Sequence, residues 1–282
     1  MTRLCELLLR HGAADAGEIP FSACRIIRNQ PERRLGFWPV TAVVGVLPYY
    51  TPACDEPGEI SAYALAKDYH LFVRRMEEEL RPEAREAFPG ARFALRADTS
   101  PIDEVQAAAA AGLGVIGRNG LLITPSYSSF VFIVELFTDL PTQAEPLPLR
   151  SCENCGACAA VCPGPLSGRG ECLSAVTQKK GDLTPEEQAA MRAHGTLWGC
   201  DLCQRVCPHT RASRAAGTIY SSLEWFRTDV RSSITEEEID SPEFAERAYA
   251  WRGPAVLRRN LGVLHTKNEA SPDKIMKGEK QK

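Results

Sequence analysis

The sequence predicts an α+β protein: an N-terminal α/β unit with a mixed sheet, then a ferredoxin-like cysteine-rich unit, then a short helical C-terminal segment. Three observations predict it. Before residue 140, β-branched runs alternate with stretches of helical periodicity. Eight of the eleven cysteines crowd between Cys152 and Cys207, leaving little room for strands. After Gly217 the apolar residues recur at helical spacing. At 282 residues, 44% of them hydrophobic, the chain suits one or two domains with a real core. The expected units are 1–140, 150–215 and 216–266, with a polar, lysine-rich tail at 267–282 that reads as disordered.

Each element has its own signal. Thr41–Val46 and Phe130–Leu136 are runs of strand formers, and Arg92–Arg96 and Leu121–Thr124 are shorter candidates. Glu59–Arg81 reads as one long helix, because Tyr69, Phe72, Val73, Met76 and Leu80 recur at steps of three and four as a buried stripe. Pro101–Ala111 reads as a second helix, with a proline in its first turn and an alanine run behind it. Pro141–Pro148 marks a linker. Further helical segments are expected around Leu223, over Glu236–Trp251 and over Val256–His265.

The cysteines carry the chemistry. Cys152-x2-Cys155-x2-Cys158-x3-Cys162-Pro163 is followed by a solitary Cys172 and then by Cys200-x2-Cys203-x3-Cys207-Pro208. The first run has bacterial ferredoxin spacing, in which three thiolates grip one [4Fe–4S] cluster and the fourth crosses to another. A cubane needs thiolates converging from several directions, so a close-spaced turn supplies three and a distant residue closes the cage. Two cages follow: Cys152, Cys155, Cys158 and Cys207 for one, Cys162, Cys172, Cys200 and Cys203 for the other. Structural zinc would use C-x2-C pairs, but it leaves the triple spacing and the two prolines unexplained. Disulfides need an oxidising compartment, and Glu6 and Arg10 break the apolar start too early for a signal peptide. No apolar run approaches the ~20 residues of a membrane span. Even Phe130–Phe137 contains Glu135. A soluble cytoplasmic protein is therefore expected, with Cys5, Cys24 and Cys54 as ordinary thiols.

A net charge of −3 does not advertise a nucleic-acid binder, yet 25 of the 33 basic residues are arginine. They cluster at Arg25, Arg28, Arg33 and Arg34, at Arg74 to Arg85, and at Arg205, Arg211 and Arg214. Solvated surface and phosphate contact are both open readings of each group. Gly112-Leu113-Gly114-Val115-Ile116-Gly117 matches G-x-G-x-x-G, but a helix enters and a strand leaves, the reverse of a dinucleotide fingerprint. These glycines serve a tight turn or the close approach of a large ligand.

From about Val43 to His265 the chain resembles the epoxyqueuosine reductases, cobalamin-dependent iron–sulfur enzymes that complete queuosine in tRNA. The resemblance lies in Ala62-Tyr63 through Asp68-Tyr69-His70, Ala97-Asp98-Thr99-Ser100-Pro101, Ala111 through Asn119, and Val134 through Leu140. It continues in Cys172 through Thr177 and, most specifically, in Gly199 through Pro208. It implies that electrons pass through two [4Fe–4S] clusters to cobalamin, which removes the epoxide oxygen. A carboxylic acid beside the corrin supplies a proton, and the matching position is Asp98; buried there, its pKa would be raised. The residues themselves also allow Asp98 to be a helix N-cap, with Asp103 as the fallback acid. Cobalamin contacts are expected at Asp98, Gly117, Arg118, Asn119, Ser174 and Thr177.

The implied partners are tRNA or a queuosine-type nucleoside, and a low-potential electron donor such as flavodoxin or ferredoxin, acting on a monomer away from membranes. There are departures. The loop between Cys162 and Cys172 is short, Arg118 replaces a frequent lysine, and the helical extension that follows the clusters is reduced to a remnant around Arg258-Arg259-Asn260. A dehalogenase-like corrinoid enzyme and a plain two-cluster electron carrier are the competing readings.

Overall fold

The computed structural model describes residues 2–56 and 58–265, so the expected tail at 267–282 lies outside the described residues. Six strands form: β1 (Asp15–Pro20), β2 (Thr41–Pro48), β3 (Phe93–Arg96), β4 (Val115–Ile116), β5 (Leu122–Ile123) and β6 (Val131–Thr138). Four of them make a sheet in the order β1-β2-β6-β3, and β4 pairs with β5. Every pairing is antiparallel, with Thr41 opposite Thr138 and Val44 opposite Glu135. The expected mixed sheet is thus corrected. Near-continuous apolar runs such as β2 suggest parallel strands because both faces are covered, but here layers on both sides cover an antiparallel sheet. β1 escaped sequence reading because Asp15-Ala-Gly-Glu-Ile-Pro holds few strand formers. It is an edge strand closed by Pro20, where weak propensity is tolerated.

Side-chain alternation along β2 and β6 divides the apolar residues between two faces. Val43, Leu47, Val134 and Leu136 pack with Leu4, Leu7, Val73, Met76 and Leu80, which come from the helices Arg3–Arg10 and Tyr69–Ala87. Ala42, Val44, Val46, Ile133 and Phe137 pack with Ala107 to Ala110 of the helix Glu104–Ala110. The alanines let this helix lie close to the sheet. At Gly17 a Cβ would run into the Ala111 carbonyl, so β1 needs glycine there.

The long helix begins at Tyr69, not Glu59, and runs through Pro82 to Ala87. Asp68 caps it, accepting from the His70 N–H at 3.0 Å. The residues before it are held by distant partners instead: the Ser61 N–H donates to the Trp198 carbonyl and the Asp68 N–H to the Glu246 carbonyl, both at 2.8 Å. The second helix likewise begins late, at Glu104. Glu236–Trp251 is broken into a turn of α-helix at Glu236–Ile239 and 3-10 turns at Pro242–Glu246 and Ala250–Arg252. Pro242 disfavours helical backbone at the residue before it.

The C-terminal helix Pro254–His265 places Val256, Leu257 and Leu261 in the same apolar cluster as Leu4, Trp198 and Phe226. Both ends of the described chain therefore share one core. No helix among the described residues is long and apolar enough to cross a membrane.

Candidate active site

β3 ends at Arg96, and the chain then turns sharply at Asp98. The Thr99 N–H donates back to the Ala97 carbonyl at 2.6 Å around an Asp98 φ of 58°. A three-residue turn with positive φ at a non-glycine residue is strained. Its side chain is 56% exposed, the Tyr69 hydroxyl donates to it, and His70 Nε2 lies 3.8 Å away. The start of the long helix brings both rings there, and Tyr69 is fixed by stacking on Phe132 at 3.9 Å between centroids. A hydrogen bond with Asp68 raises the His70 pKa. Asp98 is not the helix cap. Asp103 takes that role, accepting from the Gln106 N–H at 3.0 Å while paired with Arg25.

A cavity of about 290 Å³ opens here, lined by Arg25, Ile27, Arg28, Asp98, Ile102, Asp103 and Glu104. Burial, reinforced by the charge of Asp98, pushes the Glu104 carboxyl up to about 7. Behind it on β6, Glu135 is fully buried. The Ser100 hydroxyl donates to its Oε1 at 3.0 Å, and its Oε2 has no partner among the described residues. Burial first, and Glu104 second, hold the Glu135 carboxyl well above the usual range. Sequence reasoning missed both glutamates as site residues. Glu135 had a signal, as the lone charge in an apolar strand; Glu104 had none.

Several of the eight clustered cysteines come close to one another. Cys152, Cys155, Cys158 and Cys207 line one cleft of about 380 Å³ including its open mouth, together with Cys203, Arg118, Asn119 and His209. The short helices Ala157–Val161 and Leu202–Arg205 pack together and bring the two halves of the motif side by side. Cys162 and Cys172 are close enough to Cys203, and Cys172 and Cys203 to Cys200, to act on them electrostatically. Burial raises Cys203, and so do Cys162 and Cys172; burial pushes Cys200 up to about 12, with Asp201, Cys203 and Cys172 adding to it. Donors point at these sulfurs: the Arg118 N–H to Cys152 and the Gly164 N–H to Cys162, both at 3.3 Å, and the Asn119 amide to Cys203 at 3.7 Å. Among the described residues no three His, Cys, Asp or Glu side chains converge tightly enough for a single metal ion.

The residues expected to touch cobalamin divide. Arg118 is exposed, and Asn119 and Ser174 are half-buried, so all three remain accessible. The Thr177 hydroxyl is fully buried, donating to the Ser174 carbonyl at 2.8 Å and accepting from the Gly199 N–H at 3.0 Å. At Gly117 a Cβ would meet the end of the Asn119 side chain, which would have to shift, and would lie tight against the Leu121 carbonyl at 3.1 Å. Of the three arginines near the last cysteines, Arg205 donates to the Cys54 carbonyl at 2.9 Å and pairs with Asp201, and Arg214 pairs with Asp55. Asp201 is buried and anchors the cysteine loop to the N-terminal half through the Ser61 hydroxyl and the Ala62 N–H.

Fold and site together define the class: an α+β protein with a cysteine-lined cleft and a separate cavity lined by carboxylates. No protein-family model matches the chain. Curated relatives do. The epoxyqueuosine reductase of Gloeobacter violaceus is 32% identical over 230 residues, covering 78% of this chain and 72% of the relative. That of Leadbetterella byssophila is 32% identical and covers 88% and 82%. That of Listeria monocytogenes is 31% identical and covers 74% of this chain, which spans 58% of the relative's length. The chain belongs to the epoxyqueuosine reductase family.

Solved structures agree on the fold. A selenomethionine-labelled epoxyqueuosine reductase superposes with a TM-score of 0.74 at 22% identity, covering 92% of this chain and 80% of the other. One bound to an epoxyqueuosine-modified tRNA-Tyr stem loop scores 0.71 at 21% identity, with the same coverage. The Bacillus subtilis enzyme, with its catalytic aspartate loop swung out of the active site, scores 0.69 at 20% identity and again covers 92% and 80%.

Proposed function

We propose that this chain reduces epoxyqueuosine to queuosine in tRNA, using two [4Fe–4S] clusters and cobalamin. The observation that carries the reading is the gathering of Cys152, Cys155, Cys158, Cys203 and Cys207 around one cleft, with Cys162 and Cys172 acting on Cys203, in a chain that also holds an aspartate on a strained, solvent-reaching turn. Cys152, Cys155, Cys158 and Cys207 would hold one cluster, and Cys162, Cys172, Cys200 and Cys203 the other. Arg118, Asn119 and Ser174 would hold cobalamin between residues 1–140 and the cluster unit 150–215. Bound there, these groups would supply the low-potential electrons that open the epoxide. A flavodoxin or ferredoxin in a reducing cytoplasm would recharge them.

Removing the epoxide oxygen as water takes two electrons and two protons. The departing oxygen is a poor leaving group unless a proton reaches it as the C–O bond breaks. Asp98 is the carboxyl placed to deliver that proton. Tyr69 orients its carboxylate, His70 stands by, and Glu104, pushed up to about 7, retains a proton beside it near neutrality. A relative's catalytic aspartate sits on a loop that moves, and the strained turn at Asp98 suits the same motion.

Asp98→Asn keeps the shape but has no proton to give, so turnover of modified tRNA should fall ~10²–10⁴-fold with iron and corrin content intact. Mass spectrometry of the nucleosides measures it. Unchanged turnover would reassign the proton donor, with Glu104 next in line.

A further inference from the structure

We propose that the exposed face formed by residues 25–40 grips single-stranded RNA next to the reacting base, with Trp38 stacking on a base and Arg33 and Arg34 meeting phosphates. This rests on the tRNA reading above and names the surface that serves it.

The face is fastened to the segment that carries Asp98. The Ile27 and Arg28 N–H groups both donate to the Pro101 carbonyl, at 2.8 and 3.0 Å, and Ile26 bridges to Ile102. Arg96, two residues before Asp98, donates to the Arg34 carbonyl at 3.1 Å. Arg25, Ile27 and Arg28 of this segment themselves line the acid cavity.

Its chemistry is mixed in a specific way. Of the seven large hydrophobic side chains exposed among the described residues, four lie here: Ile26, Ile27, Trp38 and Val40. Trp38 is 57% exposed, yet it is not loose, since its ring meets the buried Phe21 edge-on at 6.1 Å. Phe21 in turn meets Phe137 of β6 edge-on at 6.0 Å. An indole braced from below and open above is a stacking platform.

The same segment carries four arginines, with Glu32 as the one acidic residue between 25 and 40, on a chain whose net charge is −3. Arg33 and Arg34 have no carboxylate partner among the described residues. Their side chains reach only the Gln30 amide oxygen and the Asn29 carbonyl, each at 3.3 Å. Two arginines of the cysteine unit, by contrast, are already paired with Asp201 and Asp55. Unpaired guanidiniums four and five residues from an exposed aromatic fit an anionic partner that also offers flat faces. A second copy fits worse, because a two-fold interface centred here would set like charges against one another.

The test uses the full, cluster-loaded chain and a fluorescein-labelled anticodon stem-loop RNA, read by anisotropy across a salt series. Removing two phosphate contacts with Arg33→Ala/Arg34→Ala should weaken binding and flatten the salt slope by about 1.4 units. Trp38→Ala should weaken binding roughly tenfold with the slope unchanged, and Trp38→Phe should recover most of it. On modified tRNA both variants should raise KM and leave kcat as in the wild type.

Wild-type affinity in both variants, with tRNA still reduced, overturns the surface and leaves the reductase reading standing. Weakened binding in the variants of a chain that reduces no modified tRNA supports the surface and removes that reading. A wild-type chain that binds no RNA, or a dimer that dissociates in the variants at unchanged RNA affinity, also overturns the proposal.

Discussion

Asp98 and the two glutamates behind it show how differently three carboxyls can be presented to sequence reading. Asp98 was legible, because it stands in a short, specific string between a strand and a helix. Its strain, its exposure and its bond from Tyr69 were not, since they depend on a helix that begins 29 residues earlier in the chain. Glu104 was invisible; one glutamate at the start of a helix is ordinary, and only burial beside Asp98 changes its chemistry. That burial has a pH signature. The folded pKa of Glu104, about 7, lies above the ordinary 4.5, so the folded protein holds this proton more tightly than the unfolded chain. The stabilising contribution is complete below 4.5 and is lost as pH rises through 7. Glu104→Gln should therefore melt like the wild type at about pH 5 and at a higher temperature by about pH 8, through a linkage of roughly 3 kcal/mol at most. Thermal melts across that range check it, and a constant difference at all pH values would contradict it.

Elements were read well where one face alone decided them. β2 and β6 were each recognised and fell two residues short at their C-terminal ends, while β1 was missed because an edge strand needs little propensity of its own. The helix Pro254–His265 was also legible, but its task was not. Asn260 is fully buried within it and donates to the Thr177 carbonyl at 2.7 Å and the Leu197 carbonyl at 2.8 Å. One side chain thus ties the C-terminal helix to the helix after Cys172 and to the segment leading into Cys200. Asn260→Ala leaves buried carbonyls short of a donor, which costs about 1–3 kcal/mol. The denaturant midpoint should fall accordingly, and iron should be lost more readily from the variant during dialysis. A midpoint equal to wild type would mean that water replaces the amide.

For the molecule as a whole, the two quartets should behave as separable units. Two four-iron clusters require roughly eight irons per chain, so Cys155→Ser should retain about half after anaerobic reconstitution. Full iron content in that variant would break the assignment of the first quartet. What the sequence determined by itself was local: where the glycine-rich hairpin turns and which stretches are apolar enough to be strands. Turn glycines and strand formers act through their own backbone and nearest neighbours, so a short stretch of sequence carries that information. The tertiary structure decided whatever depends on segments far apart in the chain. It made the sheet antiparallel, ran one core from Leu4 to Leu261, and sealed Glu135 behind Ser100. It also joined residues 25–34 to the Asp98 turn. Burial and strand partners are properties of meetings between segments, and periodicity records only that a residue will be buried, not against what.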